Sequence, residues 1–420
     1  MKKQADLIVT GKQVFTSASA GKPKRGAELG AADVISGGAV AVMGGRIAAV
    51  GSREEILDSW EAAPGSIIKT EKAIVPGLID SHTHPLFAGS RVGEFILRAQ
   101  GASYQEIAAA GGGIKSTVTA TRSTSNEVLM DATRAVFMRM LAHGTTTVEA
   151  KSGYGLSLEE ELRHLLILAE IKVQIPLEIV STFMGAHAVP PEYASRREEY
   201  VRCLIGEMLP EVRKRNLAEF VDVFCEENAF TLEESERILS AAKELGFPLK
   251  IHAEEFSNSG GSGLAARLGA VSADHLLRAS GEDMEALALA GTVATLLPGT
   301  AFFLGVEYAP ARSFIRSGAT VALATDFNAG SCMTESMQAV LSLACLKMKM
   351  TPEEALHAAT INAAFALNRA GSKGSLEVGK DADLLILEVD DYRLWPYRFG
   401  VNMVNTVIWR GKIAWKNYPL

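Results

Sequence analysis

The run Asp80-Ser81-His82-Thr83-His84-Pro85 closes an apolar stretch on two histidines one residue apart. In extended backbone, residues i and i+2 point to the same face, so His82 and His84 converge on one point. Neutral imidazole is the commonest protein ligand for a borderline transition metal. A mononuclear centre needs three or four ligands and an open position. Further candidates stand far along the chain: His252, three residues before Glu255, then Asp274-His275, then Asp326. His82, His84, His252 and Asp326 together supply three imidazoles and a carboxylate. That donor set suits zinc or iron, and the sequence does not choose between them. A metal so held lowers the pKa of bound water to roughly 7 and polarises a substrate carbonyl. Glu255, His275 and Asp326 are the candidates for moving protons, and which is the general base stays open.

These residues meet only if the elements carrying them share one end of a sheet. From residue 74 the chain alternates apolar runs with amphipathic ones. Strands are predicted over 74–82, 145–151, 177–187, 220–226, 249–255, 270–275, 292–298 and 319–326. Helical patterns separate most of them, as over 126–142, 158–171 and 232–245. Near-continuous apolar strands between amphipathic helices imply a parallel sheet covered by helices. Eight such units closing on themselves make a (β/α)8 barrel, whose chemistry sits at the C-terminal strand ends. Pro76 and Gly77 read as the entrance of the first strand. His82, His84, His187, His252 and His275 fall at strand ends, five of the 8 histidines. His143, His164 and His357 fall on helices and are expected to be structural or solvated.

Both ends of the chain read differently. Residues 7–10, 39–43 and 46–50 are strand candidates, with Gly44-Gly45 as a hairpin turn. Residues 384–387, 405–409 and 412–415 return to strand patterning. The expectation is a small, discontinuous, β-sandwich-like domain of residues 1–73 and 369–420, beside a barrel of residues 74–368.

The chain has 420 residues, 48% hydrophobic and 22% charged, ample for a large core. A net charge of −7 without a long basic run argues against nucleic acid as a partner. The N-terminus lacks the apolar core of a signal peptide, and no apolar run is long enough to span a bilayer. A soluble, cytoplasmic protein acting on a small molecule is expected. Cys203, Cys225, Cys332 and Cys345 form no C-x-x-C pair, so they read as buried free thiols.

The ligand pattern resembles the amidohydrolase superfamily, and longer segments resemble the imidazolonepropionase family within it. These are residues 80–91, Lys151-Ser152-Gly153-Tyr154-Gly155, residues 182–193 and residues 324–331. The resemblance covers nearly the whole chain. It implies metal-dependent opening of 4-imidazolone-5-propanoate to N-formimidoyl-L-glutamate in histidine degradation, with one metal per subunit and a homodimer. It also implies that Arg91, Tyr154, His187 and Glu255 bind substrate, with Asn328, Gly330 and Ser331 lining the loop after the eighth strand. Arg91 is suited to hold a propionate through two parallel hydrogen bonds.

Two rival readings share this sequence pattern. A purine or pyrimidine deaminase of the same superfamily would use the same metal residues, but a neutral base needs no carboxylate clamp. A scaffold that lost its chemistry should lack some ligands. Lys151 reads as structural or substrate-adjacent rather than as a bridge between two metals. Gly111-Gly112-Gly113 reads as a flexible loop, with a lid over the substrate as the functional alternative.

Overall fold

The computed structural model describes residues 1–101 and 112–417. Eight parallel strands lie side by side in chain order: Leu78–Asp80, Thr145–Lys151, Glu178–Ala186, Phe220–Cys225, Leu249–Ala253, Ser272–His275, Val293–Leu296 and Thr320–Leu323. The segment after the last strand returns to the segment after the first. Asp326 N donates to His82 O at 3.0 Å and His84 N to Phe327 O at 2.8 Å. The sheet is thereby drawn round into the expected (β/α)8 architecture, with Asp326 brought beside His82 and His84.

Helices cover the outside. Several begin at side chains suited to accept orphan backbone N–H groups: Ser157 caps Leu158–Lys172, and Thr231 with Glu234 forms a capping box on Leu232–Glu244. The main apolar core lies between strands and helices, with Val148, Leu165, Ile179, Leu239, Ile251 and Leu341 fully buried. Ile79, Phe220 and Val293 pack instead with Ile361 and Ala364 of the helix Ile361–Phe365.

The chain ends build three further sheets, the smallest a parallel pair of Lys3–Ala5 and Trp60–Ala62. The six-stranded one contains Val34–Ser36, Gln13–Phe15, Ala73–Pro76, Leu384–Leu387, Val404–Trp409 and Lys412–Lys416. A four-stranded one contains Ile67–Lys69, Leu7–Thr10, Gly38–Met43 and Arg46–Ser52. Gly44-Gly45 turns the hairpin between the last two, as expected, and both glycines have positive φ. Val9, Val40, Val42, Ile74, Leu384 and Ile386 form an apolar layer shared by the two larger sheets, which gives the sandwich-like packing.

One strand expectation is corrected. Residues 74–82 are not a single strand: Ala73–Pro76 belongs to the six-stranded sheet and Leu78–Asp80 opens the barrel. Gly77 is the crossing point. A Cβ there would lie 2.2 Å from Thr146 Oγ1, so only glycine lets the backbone pass this close to the second barrel strand. Among the described residues, no helix is long and apolar enough to cross a membrane.

Candidate metal centre

The alternation that places His82 and His84 on one face holds just beyond the first barrel strand. Their Nε2 atoms lie 3.3 Å apart, and His252 Nε2, from the fifth strand, is 3.3 Å from His84 Nε2. Asp326 Oδ1 is 3.4 Å from His82 Nε2 and 3.6 Å from His84 Nε2. Four donors held about 2.0–2.1 Å from one ion in a tetrahedron stand about 3.4 Å apart, so the spacing fits a transition metal of zinc's size. Each donor is at least nearly buried. His82, His275 and Asp326 form a second convergent triad, which puts His275 at the edge of the same cluster. The structure therefore holds a histidine-rich site suited to a divalent metal.

What surrounds the donors fixes their orientation. His82 Nδ1 pairs with Asp274 Oδ2 at 2.6 Å and His252 Nδ1 with Asp222 Oδ1 at 3.1 Å. A carboxylate on Nδ1 holds its proton there and leaves Nε2 as the ligating lone pair. Lys151 Nζ joins these carboxylates, 2.6 Å from Asp222 and 2.7 Å from Glu149. Lys250 Nζ sits 3.2 Å from Glu149 and donates to Ser81 O at 2.8 Å. Burial opposes charge on Lys151, yet Asp222 and Glu149 hold its ammonium above the ordinary value. With Asp274 3.9 Å away, three carboxylates surround the Lys151 ammonium. Burial would raise Asp222, but His252 and Lys151 hold its carboxyl well below the usual range. Glu149, Asp222 and Lys250 stand outside the sequence motifs, and Asp274 serves as a partner of His82. A signal was present: both faces of these strands are buried, so charged residues inside them must pair with something.

The proton-transfer candidates gather at the same rim. Asp326 Oδ2 accepts from Thr300 Oγ1 at 2.6 Å, and burial pushes its carboxyl up to about 6. Glu255 lies 3.7 Å from His275 Nδ1, and burial, then Asp326 and Glu226, raise its carboxyl well above the usual range. Burial and then His252 hold His275 neutral. His275 and Asp326 both have positive φ, at 79° and 55°, backbone strain of the sort that clusters at functional sites.

The expected substrate residues line one side. His187 stacks on His84 with ring centroids 5.0 Å apart, and Tyr154 lies 5.4 Å from His187. Burial and then His252 lower His187 to about 3. Neutral His187 therefore donates Nδ1–H to Gly153 O at 3.0 Å and keeps Nε2 as an acceptor. Burial raises the Tyr154 hydroxyl, with Arg91 nearby acting the other way. Asn328 binds its own loop: Oδ1 accepts from Gly330 N and Ser331 N at 2.8 Å each, while Nδ2 donates to Asp326 O at 2.7 Å and to Ser331 Oγ at 2.8 Å. Asn328 and Ser331 thus shape the loop after the eighth strand. Arg91 is nearly buried and already paired with Glu94, as Nε donates to Oε1 at 2.9 Å and Nη2 to Oε2 at 2.6 Å. The lid expectation falls partly on Gly111, which lies outside the described residues. Gly112 and Gly113 lead into the helix Ile114–Arg122.

His143 caps the end of the helix Asn126–Ala142, while His164 and His357 lie within helices, and none of the three joins the clustered donors. His357 Nδ1 donates to Leu29 O at 2.7 Å, and His164 is buried without a hydrogen-bond partner among the described residues. The cysteines are free thiols, of which Cys225 and Cys332 are buried and Cys203 and Cys345 only partly so.

Comparison with known proteins agrees with this geometry. Residues 73–414 match the amidohydrolase family and residues 38–60 a bacterial imidazolonepropionase-like composite domain. The chain is 49% identical over 415 residues to the imidazolonepropionase of Symbiobacterium thermophilum, covering 98% of this chain and 97% of that one. It is 54% identical over 343 residues to that of Geobacillus kaustophilus, covering 82% and 81%. An adenosine deaminase from Xanthomonas campestris with bound zinc aligns with a TM-score of 0.71 at 20% identity, covering 98% of this chain and 93% of that one. The E. coli guanine deaminase gives a TM-score of 0.71 at 15% identity, covering 98% and 99%. At such identities the likeness carries the fold alone, whereas the near full-length relatives carry the family. The chain belongs to the imidazolonepropionase family of the amidohydrolases.

Proposed function

We infer that this chain hydrolyses the ring C–N bond of 4-imidazolone-5-propanoate, releasing N-formimidoyl-L-glutamate. His82, His84, His252 and Asp326 would hold one transition metal per subunit, zinc or iron. Such a metal supplies Lewis acidity to the ring carbonyl and makes water nucleophilic near neutral pH.

The remaining work falls to the side chains. Water adds at the ring carbonyl carbon, and the ring nitrogen leaves with a proton. Asp326, its far oxygen fixed by Thr300, is placed to accept the proton from water. Glu255, whose carboxyl burial raises well above the usual range, is the group suited to deliver a proton to the departing nitrogen, with His275 beside it. His187 Nε2 and the Tyr154 hydroxyl orient the heterocycle, and Arg91 receives the propionate.

The observation that carries the reading is the Arg91 guanidinium lying against the loop that begins at Asp326. A neutral nucleobase would not use that cation, so the deaminase rival is disfavoured. The test is to incubate the purified protein with the imidazolone and follow N-formimidoyl-L-glutamate, ammonia and metal content together. Ring opening without ammonia, and about one metal per subunit, is expected, with turnover lost in Asp326→Asn. Ammonia release, or opening unaffected by Asp326→Asn, would overturn the reading.

A further inference from the structure

An arginine side chain has four rotatable bonds and holds one geometry only if its surroundings impose it. Two neighbours do so for Arg91: Glu94, which lies outside the expected substrate contacts, and Gly330 of the loop after the eighth strand. Glu94, three residues on in the helix Val92–Ala99, takes the Nε–Nη2 edge of the guanidinium in two parallel hydrogen bonds. Its carboxylate is tied down in turn, because Gly113 N donates to Oε1 at 2.8 Å. Gly330 lies against the other side of the guanidinium. A Cβ on Gly330 would stand 1.8 Å from Arg91 Nη1 and 2.5 Å from its Cζ. Asn328, which also binds Asp326 O, holds Gly330 N in place.

We propose that Glu94 and Gly330 are positioning residues for the substrate carboxylate. Glu94 occupies one edge of Arg91, Gly330 forms the shelf beneath it, and the remaining Nη1–Nη2 edge is presented to the carboxylate. The shelf belongs to the loop that starts at Asp326, so the anion-binding edge sits at a fixed span from the metal donors. The proposal rests on the reading that the substrate carries a carboxylate that Arg91 binds. Gly330 was expected to line the loop; here its lack of a side chain is the functional property.

Gly330→Ala is the informative variant. The group a methyl would strike is the far end of a flexible side chain, so the guanidinium shifts while its charge and the fold remain. Kinetic constants are measured for the imidazolone propionate and for its neutral methyl ester, in the parent, Gly330→Ala, Glu94→Ala, Arg91→Ala and the Gly330→Ala/Arg91→Ala pair. For the acid, each single substitution should raise KM roughly ten- to hundredfold while kcat stays within about twofold. For the ester the increase should vanish. Adding Gly330→Ala to Arg91→Ala should change nothing further, because the two act through one contact. An unchanged KM in Gly330→Ala, or equal losses for acid and ester, would overturn the proposal alone. No ring opening by the parent chain would overturn it together with the functional reading. Glu94→Ala leaves a cation without its partner, so if it fails to fold Gly330→Ala decides by itself.

Discussion

Asp222 divides its two oxygens between His252 and Lys151, so one carboxylate connects a candidate metal donor to a buried ammonium. Asp222→Asn keeps the shape but turns an amide N–H₂ toward either a donor imidazole or the lysine. Metal affinity should fall about 10- to 100-fold, the usual effect of losing such a partner. Competition with a chromophoric chelator measures this without any assay of turnover. Unchanged affinity would mean that packing alone orients His252. The clustering of His82, His84 and His252 was legible in the sequence, because histidines are rare and five of the 8 stand at predicted strand ends. Their supports were not, because an aspartate or lysine in a strand has no rarity to mark it. Arg91 was legible as a cation, but its pairing with Glu94 became visible only once the helix after it was placed.

At the scale of the element, His164 shows how a helix can carry a pH sensitivity unrelated to chemistry. It lies on the buried face of Leu158–Lys172, with neither ring nitrogen hydrogen-bonded. Burial, then Arg163 and Arg122, lower its pKa from 6.5 to about 3. The unfolded chain therefore binds the proton at a higher pH than the folded one. Stability from this group is complete above pH 6.5 and is lost as pH falls toward about 3. His164→Leu should flatten that acid limb, read from melting temperatures between about pH 4 and 7. An acid limb as steep as the parent's would show that other groups set it. The eight barrel strands were readable from apolar runs of the right length. Pro76-Gly77 was legible as a strand entrance but not as a break between two sheets, because apolar residues stand on both sides of it. What splits the run is the neighbour each half pairs with, and pairing is a tertiary fact.

On the scale of the whole molecule, Lys373 ties the barrel to the sheet made by the chain ends. Its ammonium is 2.5 Å from Asp383, 3.1 Å from Asp381 and 3.3 Å from Glu178, the last opening the third barrel strand. The side chain is almost fully buried. Lys373→Met would leave those carboxylates without their shared cation. A loss of about 3–5 kcal/mol is expected, seen as a lower midpoint in denaturant unfolding, and a midpoint like the parent's would refute the role. The same joint has a consequence for synthesis. Ala73–Pro76 pairs with Gln13–Phe15 on one side and Leu384–Leu387 on the other. On a ribosome adding roughly 5–20 residues per second, the second partner emerges tens of seconds after the first. For that interval the nascent chain carries an open strand edge, the kind of surface that chaperones cover and that neighbouring polysomes can cross-pair.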